Sequence, residues 1–253
     1  MSQSFRQPEI LDIAYREGKV TVDGLAEYFG VTHQTVRRDL TELADAGRLE
    51  RVHGGAILPS RTTNIGYEDR RALNADAKRA IAVACASEIP ENISVFINIG
   101  TSTEALAREL LRHRNLMVVT NNMNVANILA ENMHCQVIVA GGTLRRSDGG
   151  LVGSLTTQTI RQFKFDLAVI GCSALEHDGD LLDFDIQEVC GSQTIIQQSR
   201  KTFLVADHSK FQRFAPARIT SLAEIDTLFT DKDLPADLSR RCQDWNTRVH
   251  VAG

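Results

Sequence analysis

Apolar positions recur along this chain in two rhythms, and the change between them divides it. In the first sixty residues the period is helical. Ile10, Leu11, Ala14 and Tyr15 predict a helix over 8–17 that stops at Gly18. Lys19-Val20 is short and extended. Leu25, Ala26, Tyr28 and Phe29 predict a second helix, capped by Thr21. Gly30-Val31 makes a tight turn. Val36, Leu40 and Leu43 then give a third helix one buried face, behind a Thr32 cap. Two helices about a short glycine-containing turn are the helix-turn-helix pattern. The stretch 48–52 alternates polar with apolar, and after His53-Gly54-Gly55 the chain returns through Ala56-Ile57, which predicts a two-stranded wing.

Between residues 58 and 75 the periodicity fades, and Pro59, Ser60 and Gly66 place a domain boundary at 59–66. A helical face returns from Asp76 in Ala80, Ile81, Ala84 and Cys85. Past Pro90 the rhythm changes to short apolar runs at 95–99, 116–119, 137–140, 167–170, 203–206, 228–229 and 249–251. Several are continuous and β-branched, as in strands covered on both faces. Helical stretches at 103–113, 124–131, 156–162 and 185–199 separate most of them, so an α/β domain with a mostly parallel sheet is expected. The division is a winged helix-turn-helix over 1–58, a linker over 59–75 and an α/β domain over 76–253.

Polar residues then give each part a chemistry. Opposite the buried face of the third helix lie Gln34, Arg38 and Thr41, flanked by His33, Thr35 and Arg37. Gln can pair two atoms of adenine and Arg two of guanine in a major groove. The helix alone fits an ordinary solvated face equally well. In the second part, Gly100-Thr101-Ser102-Thr103, Thr120-Asn121-Asn122, Gly141-Gly142-Thr143-Leu144-Arg145, Gly171-Cys172-Ser173 and Asp207-His208-Ser209-Lys210 each follow a strand. Open α/β sheets bind ligands at those strand ends. Singly each reads as a cap or a turn, as does Asp178-Gly179; five on one rim favour a site. Residues 100–103 suit an anion, Lys210 and Arg145 add positive charge, and Asp178, Asp183, Asp185 and Glu188 can accept from hydroxyls. A phosphorylated sugar or polyol fits that set. Neither a Gly-x-Gly-x-x-Gly nor a P-loop is present, which disfavours a nucleotide.

Composition narrows the setting. Net charge is −4 over 253 residues, and the five cysteines form no Cys-x-x-Cys pair, so reduced thiols in a soluble cytoplasmic protein are expected, with no cofactor and no metal. No run approaches eighteen apolar residues, which argues against a membrane partner. Residues 1–60 hold seven Lys/Arg against nine Asp/Glu, the reverse of the usual basic footprint. Arg37, Arg38, Arg48 and Arg51 nevertheless all fall in the third helix or the wing. Few phosphate contacts and a shallow salt dependence are expected.

Thr32-x-x-Thr35-Val36-Arg37-Arg38-Asp39-Leu40, with Leu43 and then Arg51-x-His53-Gly54-Gly55-Ala56, resembles the winged helix-turn-helix of the DeoR family. The resemblance implies a double-stranded DNA operator as partner, contacted by Thr32, His33, Gln34, Thr35, Arg37, Arg38, Thr41, Arg51 and His53. It also makes Glu68-Asp69-Arg70-Arg71, otherwise a solvated charge run, the start of a helical lead-in. Ile99-Gly100-Thr101-Ser102-Thr103, Thr120-Asn121-Asn122, Ala140-Gly141-Gly142 and Asp207-His208-Ser209-Lys210-Phe211 resemble the family's sensor domain, related in fold to ribose-5-phosphate isomerase. That implies effector contacts from Gly100, Thr101, Ser102, Thr103, Asn121, Asn122, Gly141, Gly142, Arg145, Asp178, Asp185, Glu188 and Lys210. Segments 96–101, 145–153 and 178–189 resemble most the members that respond to glycerol 3-phosphate. Asn98 and Ser102 depart from the family pattern. The expected function is a transcriptional repressor of a carbohydrate or polyol operon, acting as a homo-oligomer, dimer or tetramer. The rival is a sugar-phosphate isomerase with an accessory module, its acid–base work done by the same carboxylates.

Overall fold

Pro8 does not open the first helix. In the computed structural model, which describes residues 3–60 and 62–253, α1 runs Gln3–Glu17 with Pro8 inside it. The turn upstream is held from outside: Arg6 Nε and Nη2 donate to the two carboxylate oxygens of Asp39 at 2.7 and 3.2 Å, both side chains buried. Gly18 ends the helix in the left-handed region, as expected. β1 (Lys19–Thr21) leads into α2 (Val22–Phe29), where the Thr21 hydroxyl accepts from Gly24 N–H, and α3 (His33–Asp45) starts at Thr32, whose hydroxyl accepts from Thr35 N–H. Ile10, Leu25, Phe29, Val36, Leu40 and Leu43 form the small core. The wing has three strands rather than two: β2 (Glu50–Val52) and β3 (Gly55–Ile57) form the hairpin, and β1 closes the other edge of β3 through Val20 against Ala56. An edge strand leaves a row of unpaired backbone groups, and the extended link between α1 and α2 supplies the partner.

The segment expected as a linker is built into the fold. α4 (Tyr67–Ala72) lies within it, α5 (Ala75–Ser87) begins at its end, and Ile65 is buried. The charge run 68–71 is therefore helical, and Arg70 is largely covered.

The second domain alternates β4 (Ser94–Ile97), α6 (Thr101–Glu109), β5 (Leu116–Thr120), α7 (Met123–Leu129) and β6 (Cys135–Val139). A hairpin of β7 (Thr143–Arg145) and β8 (Gly150–Val152) precedes α8 (Ser154–Ile160) and β9 (Leu167–Ile170). Then come β10 (Ala174–Leu175), β11 (Asp180–Asp183), α9 (Ile186–Gln197), β12 (Thr202–Val205), β13 (Ala217–Ser221), β14 (Thr227–Thr230), α10 (Ala236–Asp244) and β15 (Arg248–Val251). Seven strands form one parallel sheet in the order β15-β14-β12-β9-β4-β5-β6. Successive strand residues serve opposite cores. Val95, Ile97, Val118 and Val169 face α5–α7, while Phe96, Val119, Ala168 and Ile170 face α8–α10. Continuous apolar runs were the correct sign of a sheet covered on both sides. β10, β11 and β13 make a small antiparallel sheet whose strands were not separable by sequence pattern.

The connection order reverses between β4 and β9, and the crevice at their C-terminal ends is the topological switch point. Asn98 ties it: its backbone N–H donates to Val169 O and its side-chain oxygen accepts from Gly171 N–H, at 3.2 and 3.1 Å.

Candidate functional site

On the DNA-binding module, His33, Gln34, Arg37 and Arg38 are exposed along the first turns of α3, and Thr35 is half-buried beside the Thr32 cap. Arg38 Nε donates to Glu42 at 3.2 Å, and His33 Nε2 lies 3.5 Å from Asp23. Two further expected contacts sit differently. The Thr41 hydroxyl donates to Arg37 O at 2.8 Å, and Thr41 and Arg51 line a cleft of about 160 Å³ between the two domains, with Glu50, Asn74, His208 and Arg213. Burial and the neighbouring Arg37 both lower the pKa of Arg51. His53 is exposed in the wing turn, its backbone N–H donating to Asp69 of α4 at 2.9 Å.

At the rim of the sheet, the expected residues divide into groups. Gly100 has φ 153°, a conformation that favours glycine, and α6 begins there without a side-chain cap. Thr101 donates to Arg70 O at 3.4 Å. Thr103 is occupied with Asn98 O and Gly100 O, and Ser102 is buried. Asn122 caps α7 and donates to Glu104, which also accepts from Asn124 and the Tyr67 hydroxyl. Asn121 donates to Leu151 O, while its buried side-chain oxygen has no partner. Gly142 is there for close packing: with φ 140°, an added Cβ would stand 2.0 Å from Thr156 Oγ1. Gly141 accepts from the same hydroxyl.

Two expectations need correction. Asp178 is not at the rim. It lies exposed in the turn between β10 and β11, accepting from Asp180 N–H, and the adjoining Gly179 sits against Trp245 and Leu222, near the N-terminal ends of β14 and β15. The hairpin-turn reading of Asp178-Gly179 was right for a local reason: the turn satisfies itself. Arg145 is at the rim but offers no free charge. It donates to Asp148, to Asp185 at 2.6 Å and to Glu188 at 2.6 Å, so Asp185 and Glu188 are engaged with it as well. Burial, with Asp183 nearby, pushes Glu188 up to about 8.

The positive charge lies elsewhere. Lys210 follows β12 and is buried, and around it gather Lys78 of α5, Arg70 of α4 and Arg213. Asp207 and Asp183 are the neighbouring carboxylates. Burial first, then Lys210, lowers Lys78 to about 8, and burial and Arg213 lower Lys210. Cations that depress one another in a dry place mark a potential short of negative charge. Nε of Arg70 and Nε of Arg213 are buried without a hydrogen-bond partner. The segment before α5 closes over this cluster as a strap: Asn64 donates to Ser173 and accepts from Arg213, Arg70 donates to Asp148, and Asn74 donates to Asp207. Lys78 Nζ holds the carbonyls of Leu73 and Arg70.

Sequence reasoning found Lys210 and missed Arg70, Lys78 and Arg213. A signal for Lys78 was present, since it lies three, four and seven residues before Ile81, Ala82 and Cys85 and so falls within the buried stripe of its helix. For Arg213 nothing local distinguished it from a surface cation.

Comparison with known proteins matches two segments of the chain. Residues 6–62 match the DeoR-like helix-turn-helix domain and residues 73–232 the DeoR C terminal sensor domain. The chain is 41% identical over 251 residues to the glycerol-3-phosphate regulon repressor of Escherichia coli (strain K12), across 99% of this chain and 100% of that one. Among solved structures, the Pyrococcus horikoshii OT3 translation initiation factor eIF-2B aligns with a TM-score of 0.50 at 12% identity, over 90% of this chain and 82% of that one. A D-ribose-5-phosphate isomerase aligns over 54% of each chain with a TM-score of 0.41 at 12% identity. Among the described residues, no helix is long and apolar enough to cross a membrane.

Proposed function

This chain belongs to the DeoR family of DNA-binding transcriptional repressors and is not an enzyme, and on that premise we propose that it releases its operator when a phosphorylated polyol, glycerol 3-phosphate first, binds beneath the strap. The observation that carries the reading is the gathering of four cations, the buried Lys78, Lys210 and Arg213 and the largely covered Arg70, whose Nε is buried without a hydrogen-bond partner. A phosphate dianion relieves the mutual repulsion of these cations and accepts from several donors at once. The uncapped start of α6 at Gly100–Thr103 adds backbone donors beside Arg70. Asp183 and the open oxygen of Asn121 remain for ligand hydroxyls. The name of the 41%-identical relative supports glycerol 3-phosphate as the first candidate.

On the DNA side, His33, Gln34, Arg37 and Arg38 enter the major groove, Thr32 and Thr35 set the helix end, and Arg51 and His53 come from the wing. Thr41 contributes less, since its hydroxyl is already bonded. One recognition helix per chain calls for at least a dimer on paired half-sites. We take 1–58 as the DNA-binding unit and 76–253 as the sensor, with 59–75 a working part of the effector site. The test combines a thermal-shift series with fluorescence anisotropy on a duplex from the chain's own promoter region. Glycerol 3-phosphate is expected to raise the melting temperature and lower DNA affinity, while glycerol does neither. No shift and unchanged anisotropy would reject the reading.

A further inference from the structure

The wing meets the sensor domain at Arg213, and Arg213 belongs to the cationic cluster assigned above to the anion. Glu50 Oε1 of β2 lies 2.5 Å from Arg213 Nε, with the side chains only 12% and 5% exposed. Neither atom has a hydrogen bond of good geometry, so the contact is a close ion pair. On its other edge, Arg213 Nη2 donates to Asn64 of the strap at 2.6 Å. One guanidinium therefore faces a carboxylate of the DNA-binding module, an amide of the strap and the neighbouring Lys210.

We propose that Glu50 and the effector's phosphate compete for Arg213, so that filling the anion site removes the wing's ionic anchor on the sensor domain. The proposal rests on the effector reading above. Both anions would otherwise approach one buried guanidinium, where water screens their mutual repulsion poorly. Arg145 in the same domain already holds three carboxylates, Asp148, Asp185 and Glu188, and burial with Asp183 nearby raises Glu188 to about 8. A phosphate dianion brings more charge and more acceptor oxygens than Glu50, and it can also engage Lys78, Lys210 and Arg70, which Glu50 does not reach in this arrangement. A further tie from the wing, His53 N–H to Asp69, ends on α4, the helix that carries Arg70. The operator-binding arrangement is then the docked one, with Glu50 on Arg213. The ligand acts through its preference for the undocked one.

Glu50→Gln keeps the shape and removes the competing charge. In calorimetric titrations of the full-length protein without DNA, Glu50→Gln is expected to bind glycerol 3-phosphate about fivefold or more tighter than the wild type. Linkage sets the ligand-induced loss of operator affinity equal to the ratio of ligand affinities in the free and the DNA-bound protein, and with the competing charge gone that ratio is expected to fall toward one. The gain should vanish when Glu50→Gln is made in an Arg213→Lys background, because the shared guanidinium is gone. A merely structural role for Glu50 would leave ligand affinity unchanged, since only the wing would be disturbed. Wild-type binding with Glu50→Gln within twofold of it overturns the competition alone. Failure of the wild type to bind glycerol 3-phosphate overturns the effector reading and the competition with it.

Discussion

Lys78 sits on the buried stripe of a helix that otherwise carries alanine, isoleucine and cysteine, and its ammonium is held between two strap carbonyls. Burial and Lys210 lower it to about 8, from an ordinary value of 10.5. In the free protein the folded state therefore holds this proton less tightly than the unfolded chain, so the group costs stability below about 8 and the cost disappears as pH rises toward 10.5. A bound phosphate reverses the preference, because it favours the charged form. Glycerol 3-phosphate binding is expected to take up protons near pH 8 and to weaken as pH rises from 7.5 to 9.5. Calorimetry in buffers of different ionisation enthalpy reads both; a pH-independent affinity would remove Lys78 from the site. Arg145 teaches the complementary lesson. Its partners Asp148, Asp185 and Glu188 lie 3, 40 and 43 residues away. Sequence shows the cation, while only the fold shows that it is already neutralised.

At the scale of elements, caps, stops and the two hydrophobic periods were legible because they act within a few residues. Thr21 and Thr32 cap where expected, Gly18 and Gly30 take left-handed conformations, and the parallel strands fall close to their apolar runs. The strap was not legible. Its Pro, Ser, Thr and Gly content describes a boundary equally well, and its polar side chains are satisfied by partners 78 to 149 residues distant. If those bonds hold it down, hydrogen exchange of amides 64–74 should be slow in the free protein, and Asn64→Ala with Asn74→Ala should accelerate it without disturbing the sheet. Exchange at linker rates in the wild type would contradict the docked strap. The third strand of the wing was missed for a related reason: three residues carry too little period to register, and pairing with Ala56 decided it.

For the whole molecule, the puzzle is a DNA-binding module with more acids than bases. Burial resolves part of it. Asp39 is neutralised by Arg6 within the core, Glu42 lies against Arg38, and Glu50 is turned to Arg213 of the sensor domain. Arg37, Arg38, Arg48 and Arg51 remain near the DNA-facing elements. Each phosphate contact contributes a slope of about −0.9 in log affinity against log salt, so a dimer with four such arginines per chain should not exceed about −7. Operator titrations between 50 and 200 mM salt measure it, and a steeper slope would require cations outside this set.

Residue order alone determined the two domains, the helix-turn-helix, the parallel sheet and the rim along which the polar motifs follow the strands. Those follow from local caps and from periodicities that a chain expresses wherever it folds. Tertiary structure decided how the charges near that rim are grouped: it paired Arg145 with three carboxylates, removed Asp178 to the far end of the sheet and brought Arg70, Lys78 and Arg213 to Lys210. Charge compensation acts through space in a medium that screens it weakly, and separation along the chain does not reveal it.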